Sequence, residues 1–212
     1  MIKALKNTNQ MTSLSTDKYQ ERYLSHQKRK KNILNKIDDH IEVTPLLDSF
    51  DKIIDSRVSQ RIFSDEKISK SELNYIKKAI VNTPSSCNRQ GIQIEFKDRK
   101  KELEELLVGG KGWIDKADTI ILLLADMNAY KSPAEQAYMP YLDAGFIGMT
   151  VYYACERLGL GCCYVNPNVL ENDRKTMKYK KIVGNYRLCG AIAIGNYNNK
   201  AKKVKKSKDI IL

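Results

Sequence analysis

Histidine is nearly absent from this sequence. The 212 residues contain only two, His26 and His40, and both fall in a polar N-terminal stretch with few apolar anchors. A hydrolase triad or a histidine metal centre would have to be built from the least core-like part of the chain. The chemistry is therefore expected from an organic cofactor that the protein orients and tunes, with no metal site. Paired CxxC spacing is also missing, and five cysteines, an odd number, do not make a disulfide framework. They read as thiols of a reducing, intracellular compartment. Cys162 and Cys163 are adjacent, so on a strand their side chains diverge. Cys87 has no histidine near it in sequence and reads as a buried small side chain rather than a nucleophile. Long apolar runs are lacking too. No stretch reaches the roughly 18 residues of a membrane span, and the longest candidate, 117–127, is broken by Asp118, Thr119 and Asp126. The first residues lack the roughly 7–15-residue apolar core of a secretory signal. A soluble, cytoplasmic protein without a membrane partner is expected.

What the sequence has in excess is positive charge, with a formal net charge of +12. A basic surface attracts phosphate and invites a nucleic-acid reading. The distribution argues against it. Much of the excess lies near the ends, in Lys28–Lys31 and the run Lys200–Lys208, with no aromatic–basic alternation. A solubilising surface with affinity for some anion is the simpler account, and nucleic acid is not expected as a partner.

Apolar spacing by three and four from Tyr19 to Ile37 suggests one or two amphipathic helices. Thr44-Pro45 opens the next helix, since proline is tolerated in a first turn. Residues 68–81 read as a helix capped by Ser69 with Glu72, or less strongly by Ser71 with Asn74. Gln93–Phe96 alternates like a half-buried strand. Residues 102–108 suggest a short helix stopped by Gly109-Gly110. Residues 119–125 suit a central strand covered on both faces. A long helix over 143–158, ended by Gly159, precedes strands at 162–166 and 190–195. About four strands among five or more helices, in mixed order, make an α+β chain. No linker rich in Gly, Pro or Ser divides it. The expected organisation is a basic N-terminal helical extension, 1–44, and one domain, 45–212.

Two polar constellations stand out. Arg57, Ser59 and Arg61 lie at i, i+2 and i+4, so in extended chain they point the same way. Guanidinium forks bind phosphate oxygens in charge-assisted pairs, and a hydroxyl adds a neutral donor; two surface arginines in a basic chain remain the alternative. Thr83–Gly91 is a polar turn between a helix and a strand, equipped to read a planar heterocycle by its edges or simply rich in turn formers. Gly159 and Gly161 stand close together, but they follow a helix and lack the spacing of a dinucleotide fingerprint.

Taken together, these segments resemble the nitroreductase family of FMN-dependent NAD(P)H oxidoreductases from about Ile53 to Ser207. Arg57, Ser59, Arg61 and Phe63 match its Arg-x-Ser-x-Arg-x-Phe motif. Pro84, Ser85, Ser86, Asn88 and Gln90 match its Pro-Ser-Ser/Ala-x-Asn-x-Gln motif. Asp143-Ala144-Gly145 with the Gly159–Gly161 turn resembles its Asp-x-Gly helix and Gly-Leu-Gly turn, and residues 192–197 resemble its closing strand. The form Pro-Ser-Ser-Cys-Asn-Arg-Gln is similar to a less characterised branch.

The resemblance implies a central, mostly antiparallel sheet flanked by helices in an intertwined, obligate homodimer. It implies FMN, with Arg57, Ser59 and Arg61 at the phosphate and ribityl chain, and Pro84, Ser85, Ser86, Asn88 and Gln90 lining the ring, often from the partner. A donor amide of the backbone at Ser85–Cys87, or of the region of Val165 and Asn166, would orient the ring, and Lys205 or Lys208 would complete the phosphate grip. It implies hydride chemistry at N5 with no catalytic side chain. NAD(P)H would reduce, in ping-pong fashion, a quinone, nitroaromatic or related conjugated acceptor. A flavin-dependent oxidase or dehydrogenase of a carrier-bound substrate and a non-catalytic flavin-binding module are the alternatives.

Overall fold

The computed structural model describes residues 44–98, 101–167, 169 and 177–204. The chain divides into two compact units, 1–49 and 50–212. Of the first, only the start of helix α1, Thr44–Ser56, is described. The helices expected between Tyr19 and Ile37 lie outside the described residues.

In the second unit four strands form one sheet. They are β1, Ile92–Asp98; β2, Thr119–Ala125; β3, Gly161–Val165; and β4, Arg187–Gly195. Their order is β1-β2-β4-β3, and every pairing is antiparallel. β2 is buried at every residue, as its continuous apolar run requires of a central strand covered twice. Its alternation decides which layer each side chain joins. Ile121, Leu123 and Ala125 meet Ile76, Ile147, Val151 and Cys155 on one face. Ile120, Leu122 and Leu124 meet Leu107, Ile114, Tyr179 and Val183 on the other. The result is a three-layer α+β unit with the sheet in the middle.

Helix α2, Lys70–Val81, starts where the sequence places it. Ser69 accepts from the Glu72 amide at 3.2 Å, and Glu72 accepts from the Ser69 amide at 2.8 Å. The helix expected over 102–108 is a single turn, α3, Lys101–Glu104, followed by a separate 3-10 turn over Val108–Gly110.

Helix α4, Pro133–Leu158, is ten residues longer than its sequence pattern suggests. Ser132 caps it, and Pro133 fills its first turn, where a missing amide costs nothing. Pro140 is the reason the pattern seems to begin later. A proline within a helix leaves the carbonyl four residues back without its amide. Here that carbonyl, of Gln136, accepts from Arg187 Nη1 at 2.7 Å, so the helix passes through. At the other end Gly159, with φ +73°, provides the left-handed cap that glycine adopts at least cost. The remaining α-helix among the described residues is α5, Met177–Val183. No helix among the described residues is long and apolar enough to cross a membrane.

Candidate functional site

β3 is an edge strand, so its outward backbone groups need partners. The segment after α1 supplies one: the Gln60 amide donates to the Cys162 carbonyl at 2.9 Å. Gly161 makes that approach possible, since a Cβ there would lie 2.7 Å from Gln60 Cγ. Tyr152, from α4, supplies another, because its hydroxyl accepts from the Tyr164 amide at 2.9 Å.

Gln60 is buried and turns inward. Its Nε2 donates to the carbonyls of Ile62 and Asn199, at 2.7 and 3.1 Å, and its Oε1 accepts from the Ala201 amide at 2.9 Å. One side chain thus ties the segment to the tail that follows β4. Arg57 and Ser59 then lie against Tyr152, and Arg61 reaches the Cys163 thiol beside them. Ser59 Oγ and the Tyr152 hydroxyl are 2.9 Å apart. Arg57 lies over the Tyr152 ring at 5.0 Å, and Arg61 over the Trp113 ring at 5.9 Å.

Among the described residues neither arginine pairs with a carboxylate. The Cys163 thiol registers the cluster. Burial pushes it up, while the Arg61 charge and hydrogen bonding to Tyr152, Ser59 and Arg61 oppose that. Lys203 arrives beside Arg57, where its Nζ donates to the carbonyls of Ile54 and Asp55, at 2.6 and 2.8 Å, at the C-terminal end of α1. Lys205 and Lys208 lie outside the described residues.

The second constellation forms elsewhere on α4. Pro84, Ser85, Asn88, Gln90, Asp143 and Ile147 line a cavity of about 370 Å3. Asp143 is 1% exposed. Its Oδ1 accepts from both the amide and the hydroxyl of Ser86, at 2.8 and 2.7 Å, and its Oδ2 accepts from the Tyr130 hydroxyl at 3.0 Å. Arg89 forms a bidentate pair with Glu135 at 2.8 and 2.9 Å. This raises the arginine above its ordinary value and lowers the glutamate.

Between these clamps Cys87, Asn88 and Gln90 have φ of +51°, +53° and +53°. Non-glycine residues rarely take such values, and they concentrate where function imposes them. The Gln90 amide donates to Ser85 Oγ at 3.0 Å, and Gln90 Nε2 donates to Asn88 Oδ1 at 3.2 Å. Both side chains are exposed and line the cavity.

The two constellations do not meet. Asp143 and Tyr152, their anchors on α4, are nine residues apart, which is about 14 Å along a helix. Val165 ends β3 buried, and the backbone of exposed Asn166 lies against Gly109. The sequence reading missed Tyr152, Trp113, Glu135 and Lys203. Only Trp113, the single tryptophan, carries a compositional signal.

Comparison with known proteins follows the same lines. FMN reductase [NAD(P)H] of Bacillus subtilis (strain 168) is 34% identical over 120 residues, 49% of this chain and 48% of that protein; the match thus spans about half the length of this relative. The solved structure of the hypothetical oxidoreductase YcnD from Bacillus subtilis is 25% identical. It superposes with a TM-score of 0.64 over 77% of this chain and 72% of its own. A nitroreductase with bound FMN from Desulfitobacterium hafniense DCB-2 shares the fold at 19% identity, with a TM-score of 0.63 over 77% of this chain and 97% of its own. Residues 50–211 match the family described as "Putative TM nitroreductase". With most of its length covered by that match and its fold shared with the solved structures, the chain belongs to this nitroreductase family.

Proposed function

We propose that the protein binds FMN and, as an obligate homodimer, passes electrons from NAD(P)H to a quinone, nitroaromatic or related conjugated acceptor. The carrying observation is the pair of guanidinium groups, Arg57 and Arg61, held on aromatic faces with no carboxylate partner among the described residues. That donor set fits a phosphate monoester. The Tyr152 oxygen already accepts from the Tyr164 amide. Its proton is therefore best placed on Ser59 Oγ, which leaves the Ser59 proton free to donate to a phosphate oxygen. The B. subtilis FMN reductase and the FMN-bound D. hafniense structure support the choice of cofactor.

When bound, FMN supplies the hydride acceptance and donation. Arg57, Ser59 and Arg61 anchor it, and Lys205 or Lys208 adds charge to the same end. Pro84, Ser85 and Ser86 face the ring. The Asn88 donors and the Gln90 acceptor suit the alternating carbonyl and N–H edge of its pyrimidine portion. Val165 and Asn166 orient the ring from the end of β3.

The ring-facing loop is assigned to a second copy. In support, α4 exposes a stripe of Tyr138, Leu142, Phe146 and Met149, with Tyr141 beside it. An apolar patch of this kind marks an association surface. The FMN-binding unit is taken as 45–212, with 1–44 as a basic extension, in the cytoplasm.

Anaerobic addition of NADH or NADPH to FMN-loaded protein tests the reading. Prompt loss of the flavin absorbance, and its return on adding a quinone, is expected. Flavin that reduced nicotinamide does not bleach would instead favour an oxidase of a carrier-bound substrate or a non-catalytic binding module.

A further inference from the structure

The loop over Ser85–Gln90 is costly to hold. Three of its residues sit at positive φ, and each such non-glycine residue is disfavoured relative to ordinary backbone. Two carboxylates from α4 hold the loop in place. Glu135 takes Arg89 bidentately, and Asp143 takes the amide and hydroxyl of Ser86. The two differ in one respect. The charge of Glu135 is matched by Arg89. Asp143 has no ion-pair partner among the described residues; the Arg89 charge acts on it only across space, from its direct pair with Glu135. Asp143 accepts three hydrogen bonds and donates none, the donor set of a carboxylate, and it lines the cavity together with Ser85, Asn88 and Gln90. Buried charge is poorly screened, so its field reaches whatever fills that cavity.

We propose that Asp143 is a positioning residue with two effects: it holds the Ser85–Gln90 loop in its left-handed conformation, and its buried negative charge makes the site favour oxidised over reduced FMN. This rests on the FMN reading given above. Two-electron reduction at neutral pH places an additional negative charge on the flavin ring, and a like charge beside the cavity opposes it. A weakly held reduced cofactor is one poised to give its electrons up to an acceptor.

Asp143→Asn tests this without emptying the position. The amide oxygen can still accept from the Ser86 amide and hydroxyl, and the amide nitrogen can donate to Tyr130 Oη, so geometry is retained while charge is removed. Dissociation constants of oxidised and dithionite-reduced FMN are measured for wild type and variant. The ratio is expected to shift about tenfold toward the reduced form, equivalent to about 30 mV for a two-electron couple. Tyr130→Phe keeps the charge but removes one of its three donors, and the ratio should move the opposite way. This second variant decides the question alone if Asp143→Asn does not fold.

A ratio in Asp143→Asn within twofold of wild type, or a shift of both variants in the same direction, overturns the electrostatic role while leaving FMN binding standing. Wild-type protein that takes up no FMN overturns the functional reading and this inference with it.

Discussion

Gln60→Met should loosen the phosphate-side segment from the tail by an amount the hydrogen bonds define. The Gln60 side chain is 2% exposed and makes three bonds, to the Ile62 and Asn199 carbonyls and from the Ala201 amide. Methionine conserves the shape of the buried stem and removes all three. At about 1 kcal/mol net per bond the loss would be about 3 kcal/mol. Ile62, Asn199 and Ala201 are themselves exposed, so water regains part of what is lost. A destabilisation of about 2 kcal/mol remains. For a unit of this size that lowers Tm by roughly 4–8 °C. Thermal melts of FMN-free wild type and variant, followed by circular dichroism at one matched protein concentration, measure it directly. Matching matters because self-association would make Tm depend on concentration. A fall in Tm under about 2 °C would refute the view that Gln60 fastens the segment to the tail.

Further outcomes follow from the tyrosines and from Cys87. Burial raises Tyr164 from an ordinary 10.0 to about 12. The unfolded chain therefore ionises first, so stability is fully present below pH 10 and falls as pH climbs toward 12. In Tyr164→Phe that alkaline decline should be shallower than in wild type when denaturant midpoints are compared across the window; parallel declines would contradict the assignment. Cys87, expected from the sequence to be buried, is instead exposed, on a turn that holds it at positive φ. Cys87→Ser should leave NAD(P)H turnover unchanged, and abolished turnover would assign the thiol a catalytic role.

Much of the fold was legible because it rests on local patterns. The unbroken apolar run of β2, the Ser69/Glu72 capping box and the Gly159 stop each depend on a few adjacent residues, and all three stand as read. The start of α4 was not legible, because Pro133 and Pro140 look like breaks. What lets the helix continue through Pro140 is Arg187, fifty-one residues from the carbonyl it satisfies. The expected helix over 102–108 failed for the opposite reason: its apolar residues, Leu103, Leu106 and Leu107, join the layer of Ile114, Tyr179 and Val183 from a turn rather than from a continuous helix.

The site divides the same way. Arg57, Ser59 and Arg61 were visible as a spacing, while Tyr152, which organises them, lies ninety-three residues from Ser59 and sits in a helix among ordinary apolar neighbours. Lys203 was hidden within a run of lysines, and only the end of α1 shows what it does.

The FMN site is tested most directly by titrating FMN into wild type and the double variant Arg57→Ala/Arg61→Ala, with fold and oligomeric state checked by circular dichroism and gel filtration. The account predicts about one FMN per chain in the wild type, and a double variant that stays folded but retains little or none, since two charge-assisted phosphate contacts are gone. Stoichiometric flavin retained by the folded double variant would contradict it.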